Sequence, residues 1–191
     1  MDNKEPIYDI GVIHGRFQIL HNDHIKYLLA GKELCKHLIV GITNPDPSLT
    51  RNSDTNPHRS TSIANPLTYY ERYVMIEAAL IEQGLHLSSF SIVPFPINVP
   101  ELIKYYVPTD AVFFLTIYDD WGREKKKKFE LLGLKIHILW EVTLEKKGLS
   151  SSNIREAIIQ DKEWEHFLPY CVVKLLKKWN IPLRLKKLSL M

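Results

Sequence analysis

Cysteine is scarce in this chain: Cys35 and Cys171 are the only two among 191 residues. Both fall inside apolar helical patterns, so no disulfide framework is expected and a reducing cytoplasm fits. Long apolar runs are missing as well. The longest, Ala111–Tyr118, is far below the ~20 residues that a membrane-spanning helix needs. The opening Met1-Asp2-Asn3-Lys4-Glu5-Pro6 lacks the basic start and apolar stretch of a secretory signal. There is no internal repeat, and no low-complexity segment beyond Lys125–Lys128. Hydrophobic residues at 45% and charged residues at 25% are ordinary globular values, which excludes wholesale disorder. Acids are absent from the C-terminal end: after Glu165 come only Lys174, Lys177, Lys178, Arg184, Lys186 and Lys187. The formal net charge of +3 therefore sits there, and the rest carries 19 basic against 22 acidic residues. A basic total so placed gives no reason to expect a nucleic-acid partner. The length predicts one domain over residues 1–180, of which 150–180 is a helical C-terminal part, with 181–191 as a basic tail.

What is present is an alternation of short apolar runs and helical patterns. Ile7–Ile13, His37–Ile42, Phe90–Phe95, Ala111–Tyr118 and Leu134–Trp140 read as five strands. Between and after them, helices are expected from about Asn22 to Cys35, Thr68 to Gln83, Pro100 to Tyr106, Trp121 to Leu132, Ser150 to Gln160 and Lys162 to Asn180. The last should break near Pro169. Thr68-Tyr69-Tyr70-Glu71 has capping-box spacing. The order predicts an α/β fold: a Rossmann-like five-stranded parallel sheet with helices on both faces. Residues 43–66 hold four prolines and no periodicity, the signature of a functional lid or a disordered segment. Arg51, His58 and Arg59 in it could close on an anion.

Two stretches carry chemistry. The first strand runs into Gly15-Arg16-Phe17-Gln18-Ile19-Leu20-His21-Asn22-Asp23-His24. Ligands of open α/β sheets bind outside the strand carboxyl ends, at the switch point beside the first strand. A helix starting near Asn22 would aim free N–H groups there, which suits a phosphate. Arg16, His21 and His24 add donors, the two histidines sharing one face of the first turn. Far down the chain, Gly148-Leu149-Ser150-Ser151-Ser152-Asn153-Ile154-Arg155 places serines and an Arg at another helix start, a second anion cradle. Taken singly, the first could be a surface His pair or part of a metal site, and the second an ordinary capped helix.

Together the two resemble the nucleotidylyltransferase superfamily, with its Gly-Arg-Phe-x-Pro-x-His-x-Gly-His and Ile-Ser-x-x-x-Ile-Arg signatures. The archaeal-type nicotinamide-nucleotide adenylyltransferases look nearest. Asn65-Pro66-Leu67-Thr68-x-x-Glu71-Arg72, Phe90-Ser91-Ile92-Val93-Pro94 and Trp164…Leu168-Pro169 resemble further segments of theirs, so the likeness covers roughly residues 10–180. It implies that a nucleoside triphosphate and a small phosphate-bearing acceptor sit above the sheet. The acceptor attacks the α-phosphorus in line and pyrophosphate leaves, with no covalent enzyme intermediate. By transfer, His21, His24, Arg16 and Arg155 are catalytic. Gly15, Phe17, Gln18, Asp23, Ser151, Ser152 and Ile154 line the nucleotide. Asn98, Tyr118, Asp119, Trp121 and Arg72 are candidate acceptor or base contacts. Mg²⁺ is implied with the triphosphate, held by water and phosphate rather than by protein ligands. No membrane partner is implied, and a homo-oligomer stays open.

Two departures from the pattern stand out. Asp23 replaces the superfamily's Gly, which allows a helix-dipole role, a metal contact, an altered base pocket or lost catalysis. Pro94–Glu101 lacks the Trp that the archaeal-type enzymes carry in their acceptor segment. The first expectation is therefore ATP and nicotinamide mononucleotide joined to NAD. The alternative is a cytidylyltransferase acting on a phosphoalcohol or phosphonate, and a third reading is a catalytically silent nucleotide-binding regulatory module.

Overall fold

The computed structural model describes residues 5–46, 61–143 and 148–190, with the Trp121 side chain left out. Arg51, His58 and Arg59, with most of the proline-rich segment, lie outside the described residues. Five strands form one sheet, β1 (Tyr8–Gly15), β2 (Cys35–Thr43), β3 (Phe90–Phe95), β4 (Val112–Ile117) and β5 (Lys135–Glu141). Every pairing is parallel and the order is β3-β2-β1-β4-β5. The chain leaves β1 towards β2 on one side and later crosses back to β4 on the other. A crevice opens where the order reverses, above β1 and β4. The Rossmann-like parallel fold expected from the alternation is what forms.

Side chains alternate across a strand, and neighbouring residues of β1 and β4 enter different cores. Ile13 and Phe114 face the larger core, Val12 and Phe113 the smaller one. Helices α1 (Asn22–Leu34), α2 (Tyr69–Glu82), α4 (Ser151–Ile159), α5 (Tyr170–Lys178) and α6 (Ile181–Ser189) supply residues to the larger. The smaller core lies under α3 (Asp120–Leu131) and a 3₁₀ turn at Pro100–Tyr105, and is rich in rings: Phe95, Phe113 and Phe129 pack edge-on or tilted. Both faces are thus covered, as an all-parallel sheet requires.

Local rules explain the boundaries. Thr68 caps α2, its hydroxyl accepting from the Glu71 N–H at 3.1 Å while the Glu71 carboxylate accepts from the Thr68 N–H at 2.8 Å. Pro169 ends the preceding segment and sets the start of α5. There the Glu82 carboxylate, at the end of α2, accepts the N–H groups of Tyr170 and Cys171 at 3.1 and 2.7 Å. Residues 181–191, expected as a basic tail, differ: Ile181–Ser189 is a helix with Ile181 and Leu185 fully buried. Arg184, Lys186 and Lys187 masked an i, i+4 apolar pair that packs against the larger core. Arg184 on this helix makes a two-pronged ion pair with Glu71 at 2.7 and 2.8 Å. Cys35 and Cys171 are free thiols. Among the described residues no helix is long and apolar enough to cross a membrane.

Candidate active site

A cleft of about 1090 Å³ opens at the carboxyl ends of β1 and β4. Its described lining brings together Arg16, His21 and His24 from the first junction and Ser151, Ser152 and Arg155 from the second. Arg16, Lys26, Lys125 and Arg155 face it, with Asp23 the one carboxylate among the described lining residues. Such a balance attracts an anion.

The first junction is built by close approach. Phe17 turns the chain at φ 52 and its ring lies under Gly15. A Cβ on Gly15 would come within 2.8 Å of that ring, so only Gly fits there. Phe17 is buried and meets His24 edge-on at 5.2 Å. His21 and His24 stack at 3.7 Å between ring centres, at the first turn of α1. The His24 Nδ1 accepts from the His21 backbone N–H at 3.4 Å, so a neutral His24 carries its proton on Nε2. Burial pushes the His21 pKa down to about 4, outweighing the pull of Asp23. Burial, then the charges of His21 and Arg16, push His24 well below its usual value. Both rings are neutral donors at pH 7.

The second junction is laced to the first. Arg155, almost fully buried, donates to the Gln18 carbonyl and, at 3.0 Å, to the Ser152 hydroxyl. The Ser151 hydroxyl donates to the Ile19 carbonyl at 2.9 Å. Asp23 completes the lacing. Its carboxylate accepts from the Leu149 N–H at 2.8 Å and from the Lys26 ammonium at 2.9 Å. Burial opposes its ionisation, but Lys26 and the Leu149 N–H prevail and hold the carboxyl below the usual range. A Cβ at Gly148 would collide with an Asp23 carboxylate oxygen, so the glycine there is the counterpart of the aspartate. Asp23 is a latch between the two junctions.

Several expected contacts turn out differently. The Gln18 amide lines the cleft but clasps the backbone of Leu67, donating at 3.0 Å and accepting at 2.9 Å. Ile154 belongs to the larger core, and its N–H is taken by the Ser150 carbonyl. Arg72 is not among the described residues that line the cleft: it is buried and donates to the carbonyls of Arg16, Thr43, Asn44 and Thr68. Burial draws its pKa down to about 10, and it remains a cation that ties β1, β2 and α2 together. Asp119 caps α3 through the Gly122 N–H at 2.9 Å and sits beside the cleft rather than in it. Asn98 and Tyr118 do line the cleft, whereas the Trp121 side chain is outside the described residues. Trp140 is not among the expected site residues, yet its indole N–H donates to the Tyr118 hydroxyl at 2.7 Å, and it meets Tyr27 edge-on at 5.9 Å. All three line one end of the cleft. The signal was its place at the carboxyl end of β5, where ligand-facing residues lie.

Parallel sheet, switch-point cleft and two facing helix starts define a nucleotide-handling α/β enzyme. Residues 12–157 match the cytidylyltransferase-like family model, and the chain belongs to that family. It is a nucleotidylyltransferase in kind. It is 46% identical to the phosphonoformate cytidylyltransferase of Streptomyces viridochromogenes, over 95% of this chain and 98% of that one. It is 29% identical to the nicotinamide-nucleotide adenylyltransferase of Thermococcus sibiricus, over 94% of this chain and 89% of that one. Among solved structures, the bifunctional NMN adenylyltransferase/ADP ribose pyrophosphatase of Francisella tularensis superposes with a TM-score of 0.66 at 17% identity. That match covers 94% of this chain and 53% of the other, so this chain spans about half of the bifunctional protein.

Proposed function

We propose that this chain is a cytidylyltransferase that joins CTP to a small acid bearing a phosphonate and releases pyrophosphate. The observation that carries it is the 46% identity, nearly end to end, with a phosphonoformate cytidylyltransferase, against 29% for the adenylyltransferase of Thermococcus sibiricus. This reading replaces ATP and nicotinamide mononucleotide as the first choice.

The cleft divides the work. Tyr27, Tyr118 and Trp140 gather at the β4–β5 end and offer ring surface for a base. Arg16, Arg155 and the start of α1 supply positive charge for a triphosphate. His21 and His24, as neutral N–H donors, stabilise charge that develops on the phosphoryl oxygens, a contribution that grows in a desolvated site. Catalysis here is positioning and electrostatics, and no protein nucleophile is needed. The donor set also fits a metal that travels with its ligand. Both oxygens of Asp23 are engaged, and no cluster of three metal-ligating side chains occurs among the described residues. Mg²⁺ bound to the triphosphate would neutralise its oxygens without protein ligands.

Pyrophosphate release is to be measured across CTP, ATP and GTP, each with phosphonoformate, a phosphoalcohol and nicotinamide mononucleotide. CTP with phosphonoformate should be the best pair. Turnover confined to ATP with the mononucleotide would restore the earlier choice, and nucleotide binding with no turnover on any acceptor would indicate a silent module. His24→Ala should lower turnover by about 10²–10³ with the fold intact, and an unchanged rate would remove the role given to His24.

A further inference from the structure

His14, the next-to-last residue of β1, is a polar side chain placed where a core residue would serve. It is 6% exposed, and neither Nδ1 nor Nε2 has a hydrogen-bond partner among the described residues. Its ring stacks on Phe95 at 4.8 Å and leans on Phe129 at 5.4 Å. A buried polar group left unpaired is costly, and so unmatched a group in a native fold calls for a reason. The reason offered by its position is the cleft, which His14 lines together with Asn44, Ile97, Asn98 and Lys125.

Strand alternation gives this position its meaning. His14 points to the face of Val12, the smaller core beneath α3, whereas His21 and His24 stand on α1 across the sheet. The cleft thus has two ends. One holds the stacked histidines, the Arg155 junction and the three aromatic residues near β5. The other holds a buried imidazole with two unpartnered nitrogens, two amide side chains and an ammonium. Burial and the nearby Lys125 keep His14 neutral, leaving one N–H to donate and one lone pair to accept. A flat aromatic acceptor would find amides and a histidine edge at this end. A compact polyanion would find a donor and a cation.

We propose that His14, with Lys125 beside it, holds the non-attacking acidic group of a compact acceptor that carries two acidic groups. The inference deepens the cytidylyltransferase reading and rests on it. With one acidic group, such as a carboxylate, seated on His14 and Lys125, the phosphonate faces the triphosphate across the switch point. A phosphonate oxygen forms the new bond to the α-phosphorus as the bond from that phosphorus to the bridging β-phosphate oxygen breaks. The electron pair leaves with pyrophosphate. The attacking oxygen is already ionised at neutral pH, so His14 takes no proton and acts as a binding residue that sets acceptor specificity.

The test compares wild type with His14→Phe, which keeps the ring and its stacking but removes both nitrogens, and with Lys125→Met on the helix surface. For each, KM for phosphonoformate, KM for CTP and kcat are read separately. The expected result is an acceptor KM raised about tenfold or more in both variants, with KM for CTP and kcat within about twofold. An unchanged acceptor KM, or an equal loss for CTP, overturns the inference while leaving the cytidylyltransferase reading standing. Should His14→Phe fail to fold, Lys125→Met decides by the same readings. Should wild type turn over no CTP with phosphonoformate, the functional reading fails. The inference is then judged by titrating phosphonoformate into each protein in the presence of CTP. Binding weakened in the variants supports it, and equal binding or none overturns it.

Discussion

Three histidines at the cleft owe their chemistry to burial. His21 titrates near 4 in the folded chain against an ordinary 6.5, because desolvation disfavours the imidazolium more than Asp23 favours it. Between those values the unfolded chain holds more protons than the folded one. Stability therefore falls as pH drops from 6.5 towards 4, and this group has no further effect above 6.5. The full window corresponds to roughly 3 kcal/mol for His21, and His14 and His24 shift in the same direction. Urea unfolding at pH 7 and pH 5 should show a clear loss at pH 5, smaller in His21→Gln, and equal midpoints at the two pH values would argue against buried neutral rings. Residue identities were legible wherever chemistry is local: the His pair, Arg16, the serine run and Arg155 all reach one cleft. Illegible were the side chains whose partners lie far along the chain. Nothing near Arg72 in sequence announces the carbonyls of Arg16, Thr43 and Asn44 that it binds, and nothing near Gln18 announces Leu67.

At the scale of elements, the site depends on holding α1 and α4 in register. Asp23 does so through the Leu149 N–H, and Gly148 leaves the space for it. Gly148→Ala forces the new methyl against the Asp23 carboxylate and should destabilise by about 1–3 kcal/mol. Asp23→Gly in that background should recover most of the loss, although Asp23→Gly alone removes the latch. This sign reversal, read in a double-mutant cycle of urea midpoints, separates a latch from two independent surface positions. Additive effects would show that the two do not meet. The sequence displayed Asp23 as a departure at a phosphate-binding turn. Its partner, a glycine 125 positions away, became visible only once both helix starts were placed.

For the whole molecule, the order of strands was readable from alternation, and the sheet forms as that pattern suggests. The last helix was not readable, since its charge concealed the short apolar pair on its inner side. Leu185 is fully buried there, so Leu185→Ala should cost about 2–5 kcal/mol in unfolding free energy. A solvated tail would show no change.

The lacing of the two junctions also bears on when the cleft can exist. Its defining hydrogen bonds join residues 126, 132 and 137 positions apart. During synthesis β1 and α1 leave the ribosome well before α4, so their polar groups wait for the serine run and Arg155 before they have partners. The cleft is thus assembled only once α4 has been made. A nascent chain that stalls short of α4 would have the histidines without the site, and could not retain nucleotide on an unfinished protein.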